Sequence, residues 1–168
     1  MEADKIWMNG SLVDWADATV HVLTHALHYG TSVFEGIRAY ETDDGPAVFR
    51  LDQHLLRLER SAAQYYMPLP FSHEDLRAAV HQVISANGLH EAYIRPIALR
   101  GYGVMGLNPV EAPVDVAIAA WVWGAYLGED GLKRRSFVQA HGTGTPQNRV
   151  TESHILDETA RVFGIRDW

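Results

Sequence analysis

Apolar and polar residues follow the two-residue period of strands along the first fifty positions, then switch at Leu51 to the period of helices. Ile6-Trp7-Met8 and Leu12-Val13 flank Asn9-Gly10, a pair that readily supplies the two positive-φ residues of a tight turn, so a β-hairpin is predicted there. Residues 19–23 read as a short strand. From Val33 onward Val33, Phe34, Ile37 and Tyr40 are strand formers, while Gly30 and Gly36 mark a turn, a bulge or a close approach. Asp43-Asp44-Gly45-Pro46 then turns the chain into residues 47–50, giving a second hairpin.

Leu51, Leu55, Leu58 and Ala62 fall on one stripe and predict a helix over 52–66, which stops before Met67-Pro68-Leu69-Pro70. Ser72 followed by Asp75 is a capping signature for a second helix over 72–87, with its stripe on Leu76, Ala79, Val80, Val83 and Ile84 and its end at Asn87-Gly88. Residues 93–99 and 114–123 read as strands joined by a Gly- and Pro-rich loop. Pro96 lacks a ladder donor, which places it at an edge or a bulge. The order of strands, two helices and strands makes the class α+β, with an antiparallel sheet from 5–50 and 91–123 and both helices on one face. Further on, 139–149 reads as a loop and 153–163 as a short amphipathic helix.

Composition narrows the function. A net charge of −7, with no basic run longer than Lys133-Arg134-Arg135, argues against a nucleic-acid partner. There is no cysteine, so disulfides and thiolate metal sites are excluded. The acidic start and the lack of any membrane-length apolar run point to a cytoplasmic protein.

Gly101-Tyr102-Gly103-Val104-Met105-Gly106 spells a dinucleotide-binding pattern, but Asn108-Pro109 and Ala112-Pro113 forbid the helix that would hold a pyrophosphate there. A flexible loop lining a site is the expectation. His21, His25 and His28 have ligand-like spacing, yet the β-branched residues around them disfavour a helix, and no metal is expected. Arg38, Arg50 and Arg95 lie within or at the ends of apolar strands, where each guanidinium needs a fixed anion. That anion is either a carboxylate such as Glu35 or Glu41, or a phosphate or carboxylate ligand. Tyr29, Phe34, Tyr93, Trp123 and Tyr126 supply either plain core or apolar walls with polar tips.

Several stretches also resemble one family. Ile6-Trp7-Met8-Asn9-Gly10, the run from Thr24 to Arg38 (Thr-His-Ala-Leu-His-Tyr-Gly-Thr-Ser-Val-Phe-Glu-Gly-Ile-Arg), Val48-Phe49-Arg50, Ala92-Tyr93-Ile94-Arg95-Pro96, Met105-Gly106-Leu107-Asn108-Pro109 and Trp123-Gly124-Ala125-Tyr126-Leu127-Gly128 resemble the branched-chain amino acid aminotransferases. The resemblance runs in order over about the first 133 residues. It implies the pyridoxal phosphate fold shared with D-amino acid aminotransferase and aminodeoxychorismate lyase, with residues 1–124 as its N-terminal small domain. It also implies a homodimer or higher homo-oligomer acting on valine, leucine, isoleucine and 2-oxoglutarate. Arg50 becomes the ligand of the cofactor phosphate, and Tyr93 and Arg95 become contacts to substrate carboxylates, with Arg38 among the substrate-binding candidates. Phe34, Leu107 and Trp123 border the branched side chain, Tyr29 and Leu107 reach a neighbouring subunit's site, and Tyr126 lies near the same pocket.

The resemblance also requires a Schiff-base lysine, and the lysines here, Lys5 and Lys133, match neither its position nor its setting. Residues 125–135 read as an interdomain linker, and 136–168 as a truncated or aberrant start of the second domain. The expectation is therefore an incomplete aminotransferase with no catalytic residue of its own. The rival readings are a non-catalytic remnant or interaction module, and a D-amino acid aminotransferase or lyase relative.

Overall fold

The computed structural model describes residues 3–122; the expected linker, the 139–149 loop, the 153–163 helix, and Trp123, Tyr126 and Lys133 lie outside the described residues. Among the described residues there are seven strands: β1 (Lys5–Met8), β2 (Ser11–Asp14), β3 (Ser32–Phe34), β4 (Ile37–Tyr40), β5 (Ala47–Val48), β6 (Ala92–Arg100) and β7 (Val114–Trp121). All pair antiparallel in one sheet of order β2-β1-β7-β6-β4-β5, with β3 also against β6. Three α-helices accompany them: α1 (His25–Tyr29), α2 (Leu51–Gln64) and α3 (His73–Ala86).

Local chemistry accounts for most boundaries. Asn9 and Gly10 both take positive φ, 48° and 97°, and join β1 to β2 with Met8 opposite Ser11. The Ser72 side chain accepts from the Asp75 amide, and Asp75 accepts from the Ser72 amide, a complete capping box for α3. Leu51, Leu55, Leu58 and Ala62 of α2 are buried, as are Leu76, Ala79, Val80, Val83 and Ile84 of α3. They pack on Ile37, Ala39, Ile94, Ala98, Val116, Ile118 and Ala120, alternate residues of the central strands.

Three expectations are corrected. Residues 19–23 form no strand; the chain passes through a turn into α1. His25 and His28 are helical despite the β-branched neighbours, because a five-residue helix closed by left-handed Gly30 needs little intrinsic propensity when His25 is buried beneath it. Pro96 sits neither at an edge nor in a bulge but inside β6, the central strand. The Glu35 amide donates to Pro96 O at 3.0 Å, and Pro96 has no N–H to return. That single missing bond separates β3 from β4, although the register passes from Phe34↔Ile97 to Ile37↔Ile94 without a slip.

The helix pair carries a charged clamp. His73 contacts Glu59 (2.8 Å) and Asp52 (3.2 Å) of α2, and its hydrogen bond to Glu59 is the main cause holding its pKa above 6.5. Its protonated form is therefore favoured more in the folded chain than in the unfolded one. The stabilisation is complete below about pH 6.5 and disappears as pH rises through the higher folded value. His73→Ala should lower the melting temperature more at about pH 5.5 than at about pH 8.5; an equal loss at both would remove this role. Leu58, fully buried between helix and sheet, should cost about 2–5 kcal/mol when cut to alanine, read from urea unfolding.

Candidate active site

The face of the sheet turned away from α2 and α3 carries the other set of alternate residues, and it gathers four of the sequence-derived candidates, Phe34, Arg38, Tyr93 and Arg95. Arg38 of β4 is directly opposite Tyr93 of β6, Tyr93 is opposite Trp121 of β7, and Phe34 of β3 is opposite Ile97. Arg95 shares that face: its guanidinium lies 4.3 Å from the Phe34 ring centroid and 5.2 Å from that of Tyr93, and its Nη2 donates to Tyr93 Oη at 2.5 Å. Arg95 Nε is buried with no hydrogen-bond partner among the described residues. Tyr93 and Trp121 pack at 5.2 Å between centroids, and the Arg38 guanidinium lies 5.7 Å from the Tyr40 ring.

Gly36 is what lets the Tyr93 ring lie where it does. A Cβ at position 36 would run into Tyr93 Oη, so a side chain there would push the phenol away from Arg95. The close approach marked by this glycine in the sequence is therefore to a tyrosine of the same sheet.

Neither Glu35 nor Glu41 neutralises the three arginines. Glu41 lies beside His90 at 3.4 Å. Glu35, 4% exposed, points to the helix side, where His54 Nδ1 is 2.9 Å from Oε2 and Arg57 grips both oxygens, with Nε donating to Oε1 at 2.6 Å. Burial pushes the Glu35 carboxyl up, but the hydrogen bonds from Arg57 and His54 outweigh it and hold its pKa below 4.5. This trio escaped the sequence reading, because Arg57 stands off the apolar stripe of α2; the spacing His54, Arg57 on one helical face was the available signal. Among the described residues no carboxylate pairs with Arg38, Arg50 or Arg95.

Arg50 stands apart from the open-face group. It precedes α2 in left-handed backbone, φ 47°, with its guanidinium 5.6 Å from the Phe49 ring. Tyr29 and Leu107 also lie elsewhere: Tyr29 Oη donates to Met105 O at 3.3 Å from the end of α1, and Leu107 is 86% exposed in the 101–113 loop. No group of three or more metal-ligating side chains occurs among the described residues; His25 spends both ring nitrogens on Thr31 and Gly106, and His28 Nε2 bonds Val22 O.

Two cavities flank these elements. One of about 690 Å³, beside Met67, Pro68 and Arg100, is lined by none of the candidates. The other, about 320 Å³, lies on the open face between Arg95, Ile97 and Ala119 and the start of α1 at Ala26 and Leu27. A guanidinium beside aromatic rings and an apolar hollow suits a small carboxylate with an aliphatic body.

The family model for class IV amino-transferases matches residues 32–153. The branched-chain-amino-acid aminotransferase of Escherichia coli K12 is 52% identical over 134 residues, 79% of this chain and 43% of that enzyme. A crystal structure of the Escherichia coli enzyme superposes with a TM-score of 0.74 at 52% identity, covering 77% of this chain and 43% of that one. The branched-chain aminotransferase of the archaeon Thermoproteus uzoniensis, crystallised with norvaline, gives 0.69 at 41% identity, over 73% of this chain and 41% of that one. This chain thus spans less than half the length of the curated relatives it matches. With the family model covering most of its sequence and the fold of its described residues shared with these enzymes, the chain belongs to the class IV aminotransferases.

Proposed function

We propose that this chain is the N-terminal part of a cytoplasmic branched-chain amino acid aminotransferase that moves amino groups between valine, leucine or isoleucine and 2-oxoglutarate. The observation that carries the reading is the open-face group: Arg95, with no carboxylate partner among the described residues, held between Phe34 and Tyr93 beside an apolar hollow. An aliphatic substrate needs the hollow and the aromatic walls, while the second carboxylate of glutamate needs a guanidinium and a phenol in the same place. Arg38, one strand over, enlarges the cationic rim. Leu107 and Tyr29, exposed beyond this group, serve a second copy in a homo-oligomer, and the resemblance adds Trp123 and Tyr126 to the substrate-binding residues.

Other branched-chain aminotransferases of this fold were crystallised with N-(5′-phosphopyridoxyl)-L-glutamate and with pyridoxamine 5′-phosphate, and the described residues here fit part of such a group. Its ring and aldehyde supply the electron sink for transamination when bound. For the phosphate there are two guanidiniums. The resemblance assigns Arg50, whose left-handed backbone is the kind of strain that functional positions hold. Arg57 is the alternative: buried Glu35 fixes its position while its side chain stays 66% exposed, and an anion is best held by a cation that is already ordered. Among the described residues the amine does not fit. Lys5 is engaged by Asp14 on the first hairpin, away from the open-face group, and that contact raises its pKa.

Three outcomes test this. Equilibrium dialysis with pyridoxamine 5′-phosphate, which cannot react with stray lysines, should lose more binding in Arg57→Ala than in Arg50→Ala; the reverse ranking would give the phosphate to Arg50. The 168 residues alone should form no measurable keto acid from leucine with pyridoxal phosphate, because loss of the proton-moving amine costs about 10²–10⁴-fold even before the rest of the pocket is counted. A full-length gene supplied with leucine, isoleucine and 2-oxoglutarate should form glutamate, whereas activity on D-alanine alone would move the protein to the D-amino acid branch of the fold.

A further inference from the structure

The loop of residues 101–113 between β6 and β7 is gripped on both shoulders, and its tip is left bare. At the neck the Gly101 amide donates to Pro113 O at 2.7 Å. On the leading side His25, 1% exposed, uses both ring nitrogens: Nδ1 is 2.9 Å from Thr31 Oγ1 and Nε2 is 3.1 Å from Gly106 O. A carbonyl only accepts, so the neutral ring carries its proton on Nε2 and takes the Thr31 hydroxyl proton at Nδ1. Tyr29 adds a bond to Met105 O. On the trailing side Arg100, 2% exposed, donates through Nη1 to Val110 O (3.0 Å) and Ala112 O (2.7 Å), and through Nη2 to Tyr66 O. Between these holds Leu107 projects into solvent.

Burying a guanidinium against carbonyls alone, with an imidazole between a hydroxyl and a carbonyl nearby, is costly unless the arrangement itself is needed. Among the described residues no carboxylate offsets Arg100, and its Nε has no hydrogen-bond partner. We propose that His25 and Arg100 are positioning residues that hold the 101–113 loop in one shape, so that Leu107 is presented ready-formed to a second copy of the chain. A loop ordered in advance gives up less conformational freedom on docking than a free one. The inference rests on the homo-oligomer reading above only for what Leu107 meets; the loop's order is a property of the single chain.

The sequence contains no cysteine, so Leu107→Cys provides a single attachment point for a nitroxide label. In the monomer fraction from size exclusion, the spectrum should show a slow label in the parent and a several-fold faster one in His25→Asn, whose shorter amide falls short of Gly106 O. Arg100→Met should also free the label. His25→Gln should restore the slow spectrum, since its amide nitrogen reaches the place of Nε2. A control label at Asp44→Cys, in the distant β4–β5 turn, and the melting temperature separate a freed loop from a loosened fold. A fast label in the parent, or an unchanged one in both His25→Asn and Arg100→Met, would overturn the proposal. Sedimentation of the unlabelled chain tests the other reading separately: a monomer at every concentration would remove the second copy and leave the loop result standing.

Discussion

A proline in the middle of the central strand is the constraint on which the site depends. Pro96 accepts a hydrogen bond from Glu35 and returns none, so the strand facing it is divided at Glu35-Gly36 while the register on either side is kept. A ladder normally resists such a substitution because both partners lose a bond. Here the loss is confined to one acceptor, Glu35 O, and the two residues at the break are put to different uses on opposite faces. Glu35 turns its carboxylate toward α2; Gly36 gives the Tyr93 ring room on the open side.

Each face then handles its charge differently. On the helix side a buried carboxylate is compensated by the Arg57 guanidinium and hydrogen-bonded by His54, so removing Arg57 leaves an ion in low dielectric. On the open side the order is reversed, with Arg95 braced by two aromatic rings and a phenol and given no anion by the described residues. A braced cation without a counter-ion is poorly suited to stabilising a fold and well suited to meeting an anionic ligand. The helix face supplies the stability that lets the open face remain unsatisfied: the buried stripes of α2 and α3 pack against small and branched residues of β6 and β7.

The relatives give scale to this arrangement. This chain aligns with 43% of the Escherichia coli enzyme, so more than half of that enzyme's length lies in sequence that the match does not reach. Leu27 and Tyr29 of α1 and Met105 and Leu107 of the 101–113 loop are exposed apolar residues, and Tyr29 is tied to Met105 by its hydroxyl. Exposed apolar surface grouped in this way fits the second copy proposed above.

By itself the sequence determined the elements whose cause is local. The Asn9-Gly10 turn, the stripes of α2 and α3, the Ser72–Asp75 cap and the antiparallel α+β layout follow from backbone preference and periodicity, which act within a few residues of each other. It also named the residues that share the open face, Phe34, Arg38, Tyr93 and Arg95, through their family wording. What it could not decide was which groups would meet across the chain. Glu35 as the partner of Arg57 rather than of Arg38, Arg50 or Arg95, the helical turn at His25, and the place of Pro96 inside the sheet all depend on residues from 19 to 81 positions away. Contacts of that separation are chosen by which packing buries the most apolar surface while giving buried polar groups hydrogen-bond partners, and no local signal carries that choice.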